Sequence, residues 1–150
     1  MILFAGILFT ILYTAFVAVI GGELAWYIDA ASLVFVLAPI AYFLFITKSG
    51  KSICGYVKSS FTKNYAYVED ELDGIAGAAK NAMKVTLAAG GTSFLIGLMI
   101  ILRRLDDPQI LGPYFSVMLV SLLYSVGISY FVFFPLQVWA EHKIKASERE

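Results

Sequence analysis

Few side chains in this sequence could do chemistry, and their placement excludes most of it. Cys54 and His142 are the single cysteine and the single histidine, and they lie far apart in the chain. There is no nucleophile–base pair and no cluster with metal-ligand spacing, so the chain reads as a protein that is not an enzyme and holds no metal or cofactor. One cysteine also rules out an internal disulfide, and His142 reads as a solvated tail residue. Gly50-Lys51-Ser52 carries the letters of a phosphate-binding loop, but that loop needs a glycine five positions before its Gly-Lys, where this chain has Phe45. What remains is a set of hydroxyls, Thr92, Ser93, Ser121 and Ser125, and the pair Asp106-Asp107 before Pro108.

The hydroxyls fall on two stripes of small residues. Ala89, Ser93 and Gly97 recur at spacing 4, as do Ser121, Ser125 and Ser129. Such stripes let helices approach closely in lipid. Alternatively, the hydroxyls line a hydrated path. Hydroxyls relay protons through water but hold no charge, so an ion carrier would have to come from another chain. Asp106, Asp107 and Pro108 read either as a helix stop and cap with Arg103 and Arg104 as ion partners, or as a pore mouth that collects cations.

The elements that must position these groups are apolar. Met1 to Gly22, Ala30 to Thr47, Val85 to Leu102 and Ile110 to Ala140 contain no Asp, Glu, Lys, Arg or His. A charge at the bilayer centre costs at least ~2.5–3.5 kcal/mol on insertion scales, and a spanning helix needs roughly 20 apolar residues. Apolar residues make up 60% of the chain, against ~45–50% in soluble domains. The expectation is an all-α integral membrane protein with four transmembrane helices, over about 2–20, 30–47, 85–102 and 110–138, as a single membrane domain. The first run lacks a basic leader and a small-residue cleavage site, and is expected to be a retained helix. Net charge is zero, which implies no strong attraction to nucleic acid or acidic lipid.

Charge sets the orientation. Nine basic residues (Lys48, Lys51, Lys58, Lys63, Lys80, Lys84, Lys143, Lys145 and Arg149) fall on one side, and Arg103 and Arg104 on the other. The positive-inside rule puts the 48–84 connection, the 139–150 tail and both termini in the cytoplasm. Trp26 and Tyr27 sit where an interfacial aromatic belt would be. Asp29 or Ser32 can cap the second helix, with a kink expected at Pro39 and a turn over Lys48 to Ser52. From about Tyr65 the pattern turns helical: Val68, Leu72, Ile75, Ala79 and Met83 recur at spacings of 3 and 4, which predicts an amphipathic helix running into the third span. The fourth helix, about 29 residues or ~43 Å, should protrude into the cytoplasm past Trp139.

Three segments carry a family resemblance. Gly97-Leu-Met-Ile-Ile-Leu-Arg-Arg-Leu-Asp-Asp-Pro-Gln-Ile-Leu-Gly-Pro113 resembles the connection between helices three and four in the MotA family. Ser116-Val-Met-Leu-Val-Ser-Leu-Leu-Tyr124 with Phe133-Phe-Pro135 is similar to that family's fourth helix and its exit. Gly21-Gly22 with Ile28-Asp-Ala-Ala-Ser-Leu-Val-Phe-Val-Leu37 resembles the entry to its second helix. The wider group is the MotA/TolQ/ExbB proton-channel superfamily of bacterial inner (cytoplasmic) membranes. The resemblance implies a ring, typically a homopentamer, around a dimer of a single-span MotB/TolR/ExbD-like protein whose intramembrane Asp takes up and releases the ion, as in a motor stator. It assigns Ser93, Phe94, Ser121 and Leu122 to the ion path, to which the hydroxyl stripes add Thr92 and Ser125, although Thr92 is two residues from Phe94 and points elsewhere on the helix. The family's helix-three Gly-Thr pair aligns with Ser93-Phe94, so a phenyl ring replaces a hydroxyl, and its helix-four Thr-Thr aligns with Ser121-Leu122. Tyr114 and Tyr130 also stand where smaller or more polar residues are usual. The connection from Lys48 to Lys84 is far shorter than the family's large cytoplasmic domain, which implies a reduced motor; Phe94 and Leu122 in place of the ion-path hydroxyls point alternatively to a non-conducting oligomeric scaffold.

Overall fold

A computed structural model describes residues 2–21, 29–60, 67–105 and 108–147. They form six α-helices: α1 (Ile2–Gly21), α2 (Ala30–Ile46), α3 (Gly50–Ser60), α4 (Glu69–Leu102), α5 (Pro108–Gly127) and α6 (Phe134–Ser147). A π-helical segment, Ile128–Phe133, joins α5 to α6. Trp26, Tyr27, Asp106 and Asp107 lie outside the described residues.

Several helix ends have a local cause. Asp29 caps α2: its Oδ2 accepts the Ser32 N–H at 2.6 Å. Ser32 is thereby freed for another role, and its Oγ donates to the Val117 carbonyl of α5 at 3.1 Å. Pro39 lies within α2 without ending it. At the other end the Thr47 hydroxyl donates to the Phe43 carbonyl at 2.7 Å. Lys48 then takes the left-handed conformation, φ 55, and α3 leaves α2 at 95°. The turn anticipated over Lys48 to Ser52 is therefore shorter, and α3 begins at Gly50. α4 opens with Glu69, Asp70 and Glu71 in its first turn, where carboxylates complement the helix dipole. Glu71 Oε2 reaches back to accept the Val68 N–H at 3.3 Å.

The amphipathic stripe and the third apolar run form one unbroken helix of 34 residues. Leu72, Ile75 and Ala79 of that stripe are buried, Met83 is half-buried, and Val68, Glu69, Asp73, Lys80 and Lys84 are exposed. The last apolar run is likewise part of a continuous rod, 37 residues over Leu111–Ser147. Pro135 does not end this rod. It lacks an N–H and crowds the carbonyl four residues back, and the wide turn lies immediately before it, where the Phe134 N–H donates to the Ser129 carbonyl five residues back.

α4 is the central helix. It packs against α2, α3, α5, the π-helical segment and α6, whereas α1 lies against the π-helical segment and α6. One apolar cluster joins α3, α4 and α6 through Tyr56, Ile75, Ala76, Ala79, Leu136 and Ala140, with Trp139 against it. A second joins α2, α4 and the π-helical segment through Val36, Ile40, Ala82, Val132 and Phe133. The radial order is that of a membrane protein. Ala79, Ala82 and Ser121 are fully buried, while Phe16, Phe45 and Met99 are 64%, 85% and 64% exposed. Lipid tails solvate large apolar side chains about as well as a core does, so many of them stay outside while small residues line the closest helix contacts.

α4 and the Leu111–Ser147 rod are each long and apolar enough to cross a membrane. α2, 17 residues or about 25 Å, falls short of a ~30 Å hydrocarbon core and passes only when taken with the bent α3 as one span.

Candidate ion path and helix interface

The hydroxyls singled out above divide between two faces. Successive residues of an α-helix are 100° apart, so Thr92 and Ser93 cannot share a direction. Thr92 is exposed on the outer side of α4 and its Oγ1 donates to the Ala88 carbonyl at 2.8 Å. Ser93 and Phe94 are half-buried. On α5, Ser121 and Ser125 are fully buried inside the single chain, and Leu122 between them is half-buried.

The buried serines face α4. Ser121 Oγ donates to the Met118 carbonyl and Ser125 Oγ to the Leu122 carbonyl, each at 2.8 Å and within its own helix. Ser129, also fully buried, donates instead across the bundle to the Met83 carbonyl of α4 at 3.3 Å. With their protons committed to backbone oxygens, these hydroxyls avoid the penalty of an unsatisfied buried donor. Gly90 sits opposite. A Cβ there would fall on the Oγ and Cβ of Ser125, so only glycine lets α4 and α5 close to this distance. Farther along, a Cβ on Gly97 would stand 2.9 Å from Met118 Cβ. The two stripes thus meet across one α4–α5 seam, bringing Gly90, Ser93 and Gly97 to the side that carries Met118, Ser121 and Ser125. Thr92 lies outside that seam.

Three further polar groups were not singled out as a site from the sequence, and two of them, Ser32 and Tyr124, tie separate parts of the bundle together. Ser32 is 1% exposed and binds α5 as described. Thr86 is fully buried and donates to the Ala82 carbonyl at 2.7 Å. Tyr124 contributes its hydroxyl oxygen to the Asp29 N–H at 3.2 Å. The signal for Ser32 was present, a polar residue one turn into an apolar helix, but it also fits a cap.

Titratable groups stay at the margins. The polar Ser32 side chain beside Asp29, and then the Ser32 N–H that hydrogen-bonds it, hold that carboxyl below the ordinary value of 3.8. Cys54 and His142 are exposed on α3 and α6. Arg103 and Arg104 are exposed in the turn after α4, and Pro108 opens α5. Among the described residues, no group of three His, Cys, Asp or Glu is placed to hold a metal ion.

Comparison with known proteins adds one finding. Over 80 residues the chain is 31% identical to the chemotaxis protein PomA of Vibrio alginolyticus, which covers 53% of this chain and 32% of PomA. The chain therefore spans about a third of the length of the relative it matches. No family model matches it. The likeness supports the resemblance to the MotA/TolQ/ExbB superfamily at that broad level.

Proposed function

We propose that this chain is a ring-forming subunit of an ion-driven membrane motor or energy transducer, probed most simply with protons as the coupling ion. The observation that carries the reading is the 31% identity to PomA over 80 residues, in a chain whose apolar runs hold no acid or base. Such a subunit needs an ion carrier from elsewhere. In this reading a dimer of a single-span MotB/TolR/ExbD-like protein supplies it as an intramembrane Asp, and about five copies of this chain surround it. All four apolar runs span a bacterial inner membrane, with both termini cytoplasmic, in keeping with the nine-to-two division of basic residues. The chain has no catalytic role. The ion path follows the α4–α5 wall: Thr92 from its outer side, Phe94 and Leu122 at half depth, and Ser93, Ser121 and Ser125 at the seam. Asp106 and Asp107, at the connection between the two helices, collect cations at the mouth.

A second reading is favoured by the burial itself. Ser121 and Ser125 are closed inside one chain and bonded to their own helix, which suits a non-conducting oligomeric scaffold of the same fold. Native mass spectrometry of the complex, solubilised after co-expression with the neighbouring gene, separates the two. Five copies of this chain with two of an Asp-bearing single-span protein is the outcome expected for the motor. This chain alone, in rings or dimers, overturns it in favour of the scaffold.

A further inference from the structure

The Leu111–Ser147 rod carries a break in its own hydrogen bonding. Pro135 has no N–H, so it donates neither to the Phe131 carbonyl four residues back nor to the Tyr130 carbonyl five back. The donor that an α-helix would give Tyr130 is the Phe134 N–H, and that group goes to Ser129 instead. Two neighbouring carbonyls thus lose their α-helical donors inside the uncharged run of Ile110 to Ala140. In hydrocarbon such groups are costly unless a neighbouring element covers them.

α1 supplies the cover. A Cβ on Gly6 would fall on the Phe131 carbonyl oxygen, with the Phe131 carbonyl carbon at 3.0 Å and Val132 Cα at 3.2 Å. In glycine a Cα hydrogen takes the place of that Cβ, so it points at the oxygen, a weak but favourable contact. Four residues on, the Thr10 methyl stands 3.6 Å from a Cβ placed on Gly127, so α1 runs antiparallel along the rod. The Phe131 ring meets Phe9 edge-on at 5.0 Å and lies 5.6 Å from Tyr13. Among the described residues of α1 only Gly6 is buried, and Leu8, Leu12, Phe16 and Val19 are each more than half exposed. Large apolar side chains gain little by leaving lipid for a helix surface. The seating of α1 therefore rests on the backbone approach at Gly6.

We propose that α1 is a lid over the break at Tyr130–Pro135. Seated, it screens the Phe131 carbonyl; lifted, it opens that carbonyl to water, two residues beyond Ser129 at the end of the buried serine stripe. The bundle closes without it. α4 holds both halves of the rod, α5 through Gly90 against Ser125 and α6 through Ile75 and Ala79 against Leu136, and Ser129 ties the start of the break to Met83 of α4 at 3.3 Å. The lid follows from contacts within one chain and is independent of the motor reading.

The test is a distance measurement by double electron–electron resonance in nanodiscs. Nitroxides are placed on the exposed positions of V19C and K80C in a C54S background, and the labelled chain is diluted with unlabelled chain so that only pairs within one copy are read. The seated lid gives one dominant distance. G6V should shrink that peak severalfold in favour of a broad distribution, and an unchanged distribution overturns the proposal. P135A separates cover from mere packing. It leaves Gly6 intact and gives the Phe131 carbonyl an N–H donor, so α1 has less to cover and its seated peak should also shrink; a peak as large as in the unaltered chain overturns the proposal. A second measurement reads the water. A nitroxide on F134C, beside the break, should show severalfold more deuterium modulation of its spin echo in D2O with G6V than with Gly6, and equal modulation overturns the lid.

Discussion

Replacing Gly90 with alanine tests the seam on which the site rests. The added methyl falls on the Oγ and Cβ of Ser125 and stands 3.5 Å from the Ser121 carbonyl oxygen. The Oγ can rotate away, but the Cβ cannot, because it is fixed to the α5 backbone. Carbon atoms rest at ~3.5–4.0 Å, so α4 and α5 must separate by more than about 1 Å or rotate. Overpacking of this kind costs ~1–3 kcal/mol. Alanine's higher helix propensity, worth ~1 kcal/mol in water, offsets little where the helix is already formed in lipid. Unfolding in mixed micelles of rising sodium dodecyl sulfate content, followed by circular dichroism, measures the loss. Ser125→Gly removes the Cβ on the other side, and the double variant Gly90→Ala/Ser125→Gly should recover most of the deficit, with a coupling of about 1–2 kcal/mol. Ser125→Ala keeps the Cβ and loses only a bond within its own helix, at a cost of about 1 kcal/mol or less, so it should give no rescue. Wild-type stability for Gly90→Ala, or equal rescue by Ser125→Ala, would refute the argument that backbone approach at this pair holds the two helices.

The remaining predictions concern other parts of the bundle. A Cβ on Gly6 would meet the Phe131 carbonyl oxygen, with Val132 Cα at 3.2 Å; backbone cannot rotate aside, so Gly6→Ala should release α1 and raise hydrogen exchange in the π-helical segment while leaving α4 protected. Asp29 has a lowered folded pKa, so its contribution is complete above 3.8 and is lost as pH falls below that through the folded value. Asp29→Ala should cost ~1 kcal/mol at neutral pH, whereas Asp29→Asn should keep the cap and flatten the acid limb of a stability–pH profile. Under the motor reading, Ser121→Ala lowers ion flux at equal complex levels and Phe94→Thr raises it; flux unchanged by both in reconstituted vesicles assigns these residues to packing.

Several elements could be read before any tertiary contact was known. The stretch from Leu72 through Leu102 is a single helix because its apolar residues keep a helical period across the amphipathic part and nothing in the following run breaks it. α2 starts where Asp29 can accept a backbone N–H. α3 was not legible: Gly50-Lys-Ser-Ile-Cys-Gly55 has turn-forming letters and no strong cap, and it is held as a helix by Tyr56 beneath Trp139. The π-helical segment was equally hidden. Pro135 announces a backbone problem, but a wide turn, a kink and a helix end all solve it, and the choice depends on what packs alongside.

The sequence by itself determined that this is a helical membrane protein with its charges outside its apolar runs, because the cost of burying a charge in lipid leaves a pattern in composition alone. It also determined that Ser121, Ser125 and Ser129 share one side of their helix, since residues four apart always do. Only the tertiary structure decided that this side turns inward onto Gly90 and Met83 while Thr92 turns outward. Spacing fixes angles within a helix, and in water a polar face would then reveal which way the helix is turned. Here the uncharged runs of the helices are apolar nearly all round, and lipid accepts either face. Their rotation is set by how closely two backbones can approach, which depends on both partners at once.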